Sequence, residues 1–208
     1  MLRSNQAKTF LEATMSKINN PDNVCDLLIL PVAGMTEECK PDEAGTDRIN
    51  ATVIAFLEKK CDSVCVIGGK TSRYCIGIAG AYRNALSHKP ILAPESIAFY
   101  DASATNIARD IEAALLKIDD AIARKGHIRR TAKIGIVSYP LLRRRMGVIL
   151  RHFGFENIVE YESCEKPAYN PILDLLLLWL TYLDPAWRGI CLPLNWWTTR
   201  TINKPANK

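Results

Sequence analysis

The stretch VCVIGGKTSR, residues 64–73, passes from an apolar run into residue types that hold phosphate in many proteins. These residues are Gly68, Gly69, Lys70 and Thr71. A complete loop of the Walker type has another glycine five residues before its Gly-Lys-Thr triplet, and Val64 occupies that position. The stretch therefore argues against simple ATPase chemistry. It predicts a glycine turn that brings backbone amides to one side of a different anion site.

Three further segments carry groups suited to the same anion. Glycine lets the backbone approach a ligand, a helix start offers unpaired amides, and arginine pairs with phosphate or carboxylate. The candidate ligand-binding residues in these segments are Gly34, Arg48, Ser103, Thr105, Asn106, Ser138, Arg143 and Arg145. Taken singly, each residue is better explained by capping or turn formation than by ligand binding. Their convergence on one edge of a sheet is what favours a binding site.

The sequence singles out no catalytic residue. Carboxylates that could act as a base or bind a metal are scattered over one loop and one strand end: Glu37, Glu38, Asp42, Glu43, Asp47 and Asp101. A G-x-S-x-G elbow is missing, and no G-x-G-x-x-G follows the first apolar run, so an α/β-hydrolase and a nicotinamide dehydrogenase are disfavoured. A transferase or a hydrolase of another kind stays open.

The seven cysteines and three histidines show no metal-ligand spacing. Cys25, Cys65 and Cys75 lie in apolar runs and are predicted to be small core residues. We therefore predict no metal site and a reducing compartment. The first residues lack the apolar core of a signal peptide, which favours a cytoplasmic protein.

The elements that must position the candidate residues follow from an alternation of apolar runs and helical spacing. Strands are predicted at 25–33, 63–67, 96–100, 133–138 and 157–162, and helices at 47–60, 71–86, 101–126, 140–152 and from 171 onward. Alternating strands and helices predict an α/β fold: a three-layer, doubly wound, mostly parallel and Rossmann-like sheet. Ligands bind such sheets beyond the carboxyl ends of the strands, where the candidate residues collect.

The chain of 208 residues is predicted to be a single domain, 1–208, with an N-terminal helix at 1–20 and an aromatic tail at 184–208. A net charge of +5 favours an anionic small-molecule ligand, and the basic runs lack the interleaved aromatics that would indicate nucleic acid. The apolar segment 172–183 is too short to span a bilayer and contains Asp174. The tail could contact a membrane surface or a second copy, although packing on its own domain is favoured.

In their order, these segments resemble the SanA/ElyC/YdcF family, a domain of unknown function. The resemblance rests on PVAGM, on TDRINATVIAFLEKKCDSVCVIGGKT, on DASATNIARDIEAALL and on IGIVSYPLLRRRMGVILRHFGF, and it covers roughly residues 25–162. It implies a Rossmann-like fold, a link to bacterial envelope biogenesis and, for the soluble YdcF-like branch that this chain matches best, binding of S-adenosylmethionine. By position it implies a pocket formed by Arg48, Gly68, Gly69, Thr105, Ser138 and Arg145.

This sequence departs from the family pattern at two positions. Leu142 stands where the family often has a histidine, and Ala108 stands where an asparagine is usual. If that histidine is catalytic in the relatives, the resemblance implies binding without turnover here. The remaining alternatives are a hydrolase or transferase acting on a phosphorylated envelope precursor, and a non-enzymatic envelope-associated protein that acts through its tail.

Overall fold

The computed structural model of the chain describes residues 24–69, 77–89, 92–102, 106–165 and 171–189. In these residues five strands alternate with five α-helices. The strands are β1 (Leu27–Pro31), β2 (Val64–Gly69), β3 (Ile97–Ala102), β4 (Lys133–Ser138) and β5 (Asn157–Glu162). The helices are α1 (Glu43–Leu57), α2 (Ile78–Ser87), α3 (Ile107–Ala123), α4 (Pro140–His152) and α5 (Pro171–Leu183). A short 3₁₀ turn, Pro94–Ser96, precedes β3.

All five strands are parallel and lie in the order β3-β2-β1-β4-β5, which confirms the predicted Rossmann-like α/β fold. The register of the central strand β1 places Leu28 opposite Val64 of β2 and Gly135 of β4. Because the chain builds β1, β2 and β3 toward one edge and then crosses to β4 and β5, the topological switch point lies between β1 and β4.

Helices cover both faces of the sheet, and β1 shows why its sequence has no polar alternation. Leu27 and Ile29 pack into a core under α3, α4 and α5. Leu28 and Leu30 point the other way, into a core under α1 and α2. A strand buried on both faces must be apolar at every position, as this one is.

Local signals explain where the helices begin and end. The Asp42 carboxylate caps α1 by accepting a hydrogen bond from Gly45 N at 2.8 Å, and Asn106 caps α3 by accepting one from Arg109 N at 3.0 Å. Pro140 occupies the first turn of α4, where its missing N–H costs nothing. Gly126 follows α3 with a φ of +77°, a left-handed conformation suited to glycine.

Several predicted boundaries were wrong. Helix α1 begins at Glu43 and not at residue 47, so Glu43 and Asp47 lie on the helix and not in the loop before it. Residues 101 and 102 extend β3, so α3 begins at Ile107 and is capped by Asn106 and not by Asp101. Helix α2 begins at Ile78, later than predicted, after Gly77 with a φ of +82°. Gly68 and Gly69 belong to β2 and pair with Asp101 and Ala102, so they do not form a turn. Pairing between β2 and β3 extended both strands beyond the ends that their local composition indicates.

Other predictions fall on parts of the chain outside the described residues. These are the N-terminal helix at 1–20, the tail from 190 onward, Cys75 and the candidate site residues Lys70, Thr71, Ser103 and Thr105. Cys25 and Cys65 are buried core residues, as predicted. Cys39 is disulfide-bonded, which the prediction of a protein with reduced cysteines did not include.

Candidate functional site

The buried guanidinium of Arg48 marks the switch point. This residue lies on α1 and is 3% exposed. Its Nη1 donates hydrogen bonds to the carbonyls of Pro31 and Val32, at 2.8 and 3.0 Å, where β1 ends. Its Nε donates to the carboxylate of Glu165. The arginine thus joins the first helix of the fold to the end of the central strand and to a residue that follows the last strand.

Glu165 is the centre of this cluster, and its side chain is fully buried. One carboxylate oxygen pairs with Arg48. The other accepts hydrogen bonds from Ser138 Oγ at 2.8 Å and from Tyr139 N at 2.9 Å. Ser138 ends β4, and Tyr139 is the N-cap position of α4. The protein therefore places one of its own carboxylates at a helix start beside the switch point, where anions are favoured.

A second polar contact continues from Tyr139 toward α5. The Tyr139 hydroxyl donates a hydrogen bond to Asp174 Oδ1 at 3.1 Å, and both residues are buried. Burial raises the pKa of Tyr139, and the charges of Arg48 and Arg145 act in the opposite direction. Burial also raises the pKa of Asp174, against the hydrogen bond from Tyr139 and the charge of Arg145. Both candidate arginines thus act electrostatically on one tyrosine.

Arg145 faces α5 and the turn that follows it. The residue is 5% exposed, and its guanidinium carbon lies 5.5 Å from the ring centroid of Trp187. The Trp187 indole N–H donates to Thr181 Oγ1 at 3.2 Å. Trp187 holds a φ of +54°, which is unusual for a bulky residue, and these contacts keep it there. Arg145 is therefore a buried cation with an aromatic wall.

The glycines at the neighbouring strand ends allow close packing. A Cβ added at Gly68 would lie 2.2 Å from Val32 Cγ2, so this position must be glycine for the segment after β1 to pack on β2. The carbonyl of Gly34 accepts a hydrogen bond from the buried Tyr82 hydroxyl at 3.3 Å, and Ala33 N donates to the same hydroxyl at 2.9 Å. Packing alone accounts for Gly68, whatever else it does.

The remaining described candidates have separate surroundings. Arg143 is 8% exposed, and its Nε lies 3.3 Å from Glu160 Oε2 on β5, so it forms an ion pair with the edge strand. Asn106 caps α3 with its own side chain. The structure thus unites Arg48 and Ser138 in one contact cluster and brings Arg145 to it through Tyr139 and Asp174. Arg143 and Asn106 are engaged elsewhere.

Asp110 is an acidic side chain of a different kind. It lies in the first turn of α3, and so beside the carboxyl ends of β2 and β3, and it is 8% exposed. Its Oδ1 has no hydrogen-bond partner. Burial raises the pKa of this carboxyl from 3.8 to about 7. A buried carboxyl with one unpaired oxygen, and a pKa of about 7 at the ligand end of a parallel sheet, is a candidate functional group.

Sequence reasoning missed Glu165, Tyr139, Asp110 and Trp187 as site residues. A signal for Glu165 was present: it follows β5, and the rule that directs attention to strand ends covers the fifth strand as well as the first four. Asp174, noted only as a charge in an apolar helix, had a signal too, because a lone acid in such a helix must find a partner. Asp110 and Trp187 had none, because their burial depends on tertiary packing.

Within the described segments, no helix combines the length and the apolarity needed to cross a membrane. Comparison of the chain with protein-family models, with curated proteins and with solved structures finds no match.

Proposed function

We propose that this protein binds an anionic, nucleotide-like small molecule at the carboxyl ends of β1 and β4, the edge where open α/β sheets form their ligand crevice, with S-adenosylmethionine as the leading candidate. The observation that carries the proposal is the pair of buried cations, Arg48 and Arg145, whose charges both act on Tyr139 near the topological switch point. Burying two guanidinium groups is costly, and sites of this kind are where α/β sheets bind their ligands.

The charges at the crevice favour a ligand that carries both an anionic group and hydroxyl groups. Arg48, which pairs with Glu165, and Arg145, which lies over Trp187, both add positive charge that attracts an anion. Asp110 supplies the acid that a ribose needs, because an aspartate near the second strand end accepts hydrogen bonds from sugar hydroxyls in dinucleotide-binding sheets. In this arrangement the sugar lies toward β2 and β3 and the anionic group toward α4.

The order of motifs that resembles the SanA/ElyC/YdcF family supports the same ligand class, and it is also the basis for a link to envelope biogenesis. Leu142 stands at the position where the family often has histidine, and it is half-buried against the core. Its hydrocarbon side chain has no ionisable group and cannot transfer a proton. Binding without turnover is thus the simplest form of the proposal. A hydrolase or transferase acting on a phosphorylated precursor is the alternative, and a metal-dependent release of phosphate would distinguish it.

The test uses native mass spectrometry and calorimetry of the full chain with S-adenosylmethionine, ATP and inorganic phosphate. Arg145→Ala is compared with Arg144→Ala, because Arg144 is exposed on the same helix and one residue away. We expect binding to weaken at least about tenfold in the first variant and to stay unchanged in the second, as loss of a buried charged contact predicts. Arg145→Lys separates loss of charge from loss of packing.

The proposal fails if none of the three probes binds the wild-type chain, or if Arg144→Ala weakens binding as much as Arg145→Ala does. Thermal unfolding of each variant shows whether it is folded. If Arg145→Ala is unfolded, Arg145→Met takes its place in the comparison, because methionine removes the charge and keeps most of the side-chain volume.

A second candidate function, an interaction protein, is favoured by the outer face of α5. One face of this helix is buried through Asp174, Leu177 and Thr181. The opposite face carries a continuous stripe of exposed apolar side chains, each 44–77% exposed: Ile172, Leu175, Leu176, Trp179, Tyr182 and Leu183. Their spacing of three and four residues places them in one line along the helix. A contiguous apolar surface of this kind indicates an interface.

We assign this stripe to a second copy of the chain. An uncharged stripe is complementary to itself when two helices pack antiparallel about a twofold axis. It offers roughly 600–700 Å² of surface per copy, near the roughly 800 Å² per partner of a standard interface. The helix contains no lysine or arginine, which interfacial membrane helices use to reach lipid headgroups.

Light scattering coupled to size exclusion tests this assignment. Leu176→Glu should give monomers at concentrations where the wild-type chain is a dimer, because it puts a charge in the stripe. Leu116→Glu is the control, since Leu116 is 82% exposed on α3, outside the stripe. A wild-type chain that stays monomeric at high concentration, or equal dissociation by both variants, removes this candidate.

A further inference from the structure

The amino ends of the strands, opposite the proposed ligand crevice, form a second region of chemical interest. Two neighbouring cavities, of about 360 and 460 Å³, lie there and share Asp62, Ala93, Ser96 and Lys125 in their walls. The larger one is also lined by Cys25 and Cys61. This pair of cysteines lies at the opposite end of the sheet from the proposed ligand site, so it takes no part in that site.

Cys25 and Cys61 meet because the strands that they precede are neighbours. Cys25 lies just before β1 and Cys61 just before β2, and β1 pairs with β2. The backbone N–H of Cys25 donates to the carbonyl of Lys60 at 2.8 Å, which ties the two strand starts together. The two thiols are free, 3% and 6% exposed, and hydrogen-bonded to each other.

The surroundings of the Cys25 sulfur favour its thiolate form. The Cys61 thiol, the Tyr161 side chain and the backbone of Gly135 surround this sulfur, and the Tyr161 hydroxyl donates a hydrogen bond to the carbonyl of Lys60 at 3.3 Å. A Cβ at Gly135 would lie 2.7 Å from Cys25 Sγ, so glycine is what allows the β4 backbone to come this close. The hydrogen bond from Cys61 is the largest influence and lowers the pKa of Cys25, although burial acts in the opposite direction.

The other two buried free cysteines of the described residues contrast with Cys25. The hydrogen bond to Cys25, followed by burial, raises the pKa of Cys61, so the pKa values of the two thiols shift in opposite directions. Burial raises the pKa of Cys65 to about 12. Among the described residues, no three His, Cys, Asp or Glu side chains are arranged to hold a metal ion, which separates this pair from a zinc site.

We propose that Cys25 and Cys61 form an oxidisable dithiol site, in which Cys25 is the nucleophile, Cys61 is the resolving thiol and a small hydroperoxide is the substrate. The Cys25 thiolate attacks one peroxide oxygen, the O–O bond breaks, and the leaving hydroxide takes up a proton to become water, which leaves Cys25 as a sulfenic acid. The Cys61 sulfur then attacks the Cys25 sulfur, and the hydroxyl group departs with the Cys61 proton as a second water. Two thiols and one hydrogen peroxide thus give one disulfide and two waters.

The substrate class follows from burial and size. The two sulfur atoms belong to residues that are almost fully enclosed, so a reagent must pass through the cavity to reach them. Hydrogen peroxide is small and uncharged, and it meets this requirement more readily than a charged, bulky disulfide. The exposed Cys164 lacks this enclosure and is open to any oxidant.

The test is peptide mapping of the full chain after treatment with hydrogen peroxide, in a Cys164→Ser background that removes the exposed thiol. We expect a Cys25–Cys61 disulfide to form about tenfold faster than any modification of Cys65, which serves as the internal control. Cys61→Ser should stop the reaction at a Cys25 sulfenic acid that dimedone traps, and Cys25→Ser should leave Cys61 reduced.

Oxidation of Cys65 at the same rate as Cys25, or no Cys25–Cys61 peptide at peroxide concentrations that oxidise Cys164 in the wild-type chain, overturns the proposal. Faster reaction of oxidised glutathione than of peroxide overturns the substrate class. The mapping in the Cys164→Ser background keeps Cys25 and Cys61 unchanged. Misfolding caused by a substitution of Cys25 or Cys61 therefore cannot produce these contrary outcomes. The proposal is independent of the ligand crevice.

Discussion

The side chains of Arg48 and Glu165, 117 residues apart in the sequence, form an ion pair in which they are 4% and 0% exposed. The arginine also holds the end of β1 through two carbonyls, and the carboxylate holds the junction of β4 and α4. This one ion pair therefore joins the two halves of the sheet at the switch point.

Removal of one partner of this pair should be strongly destabilising. Glu165→Ala leaves a buried guanidinium without its counterion and is expected to lower the free energy of unfolding by about 3–5 kcal/mol. Glu165→Gln retains an acceptor oxygen for Ser138 and Tyr139, and it should cost less. Urea unfolding measures both. Glu156→Ala breaks an exposed pair with Arg130 and should cost less than about 1 kcal/mol; an equal cost for the two alanine variants contradicts the role given to Glu165.

Gly68 should be intolerant of a side chain for reasons of packing. Gly68→Ala forces Val32 to move and is expected to cost about 1–3 kcal/mol, and adding Val32→Ala should restore part of the loss. Gly147→Ala in α4 is the control, because the nearest atom to its Cβ would be Arg151 Nη1 at 3.5 Å, and it should gain about 0.4–1 kcal/mol. Failure of Val32→Ala to compensate in thermal or urea unfolding would point to a different constraint at Gly68.

Asp110 should make stability fall as pH rises. Its pKa is about 7 in the folded protein and near 3.8 when exposed, so between these values the folded state holds the proton more often than the unfolded state. The resulting contribution is complete below about pH 4 and is lost by about pH 7, up to about 4 kcal/mol. Asp110→Asn should therefore gain stability relative to wild type on going from pH 4 to pH 8.

Asp120→Asn is the control for Asp110, since the Asp120 side chain lies on the same helix and is 70% exposed. Urea midpoints across pH 4–8 give the comparison, and parallel pH profiles of wild type and Asp110→Asn would refute the assignment. Binding gives an independent result: if Asp110 contacts the ligand, the variant loses affinity for it while it becomes more stable at neutral pH.

Tyr139 and Asp174 should be energetically coupled. Tyr139→Phe removes the donor to a buried carboxyl and is expected to cost about 1–3 kcal/mol. Tyr139→Phe should lower the free energy of unfolding by a different amount when Asp174→Asn is already present. The difference between the two losses is the coupling free energy of the pair, expected to be about 0.5–3 kcal/mol. Strict additivity in a double-mutant cycle would show that the hydrogen bond contributes little.

The sequence predicted the layers of the fold because each layer has a local signature. The apolar run that contains β1 can be buried on both faces only in a covered parallel sheet, and Pro140 and Gly126 mark helix ends through backbone constraints of their own. The residues 68 and 69 were assigned wrongly because glycine usually indicates a turn, whereas pairing with β3 kept them in a strand.

For the candidate site residues, too, the sequence predicted one part of the arrangement and the tertiary structure decided the rest. The sequence by itself determined that Arg48 and Ser138 would come to one edge of the sheet, because the carboxyl ends of parallel strands share an edge. Only the tertiary structure decided that both would bind Glu165, that the Arg145 guanidinium would lie over the Trp187 ring and that Asp110 would be buried with its Oδ1 unpaired. Contacts between residues so distant in the chain, and the burial that shifts their pKa values, exist only once the elements have packed, and no local pattern encodes them.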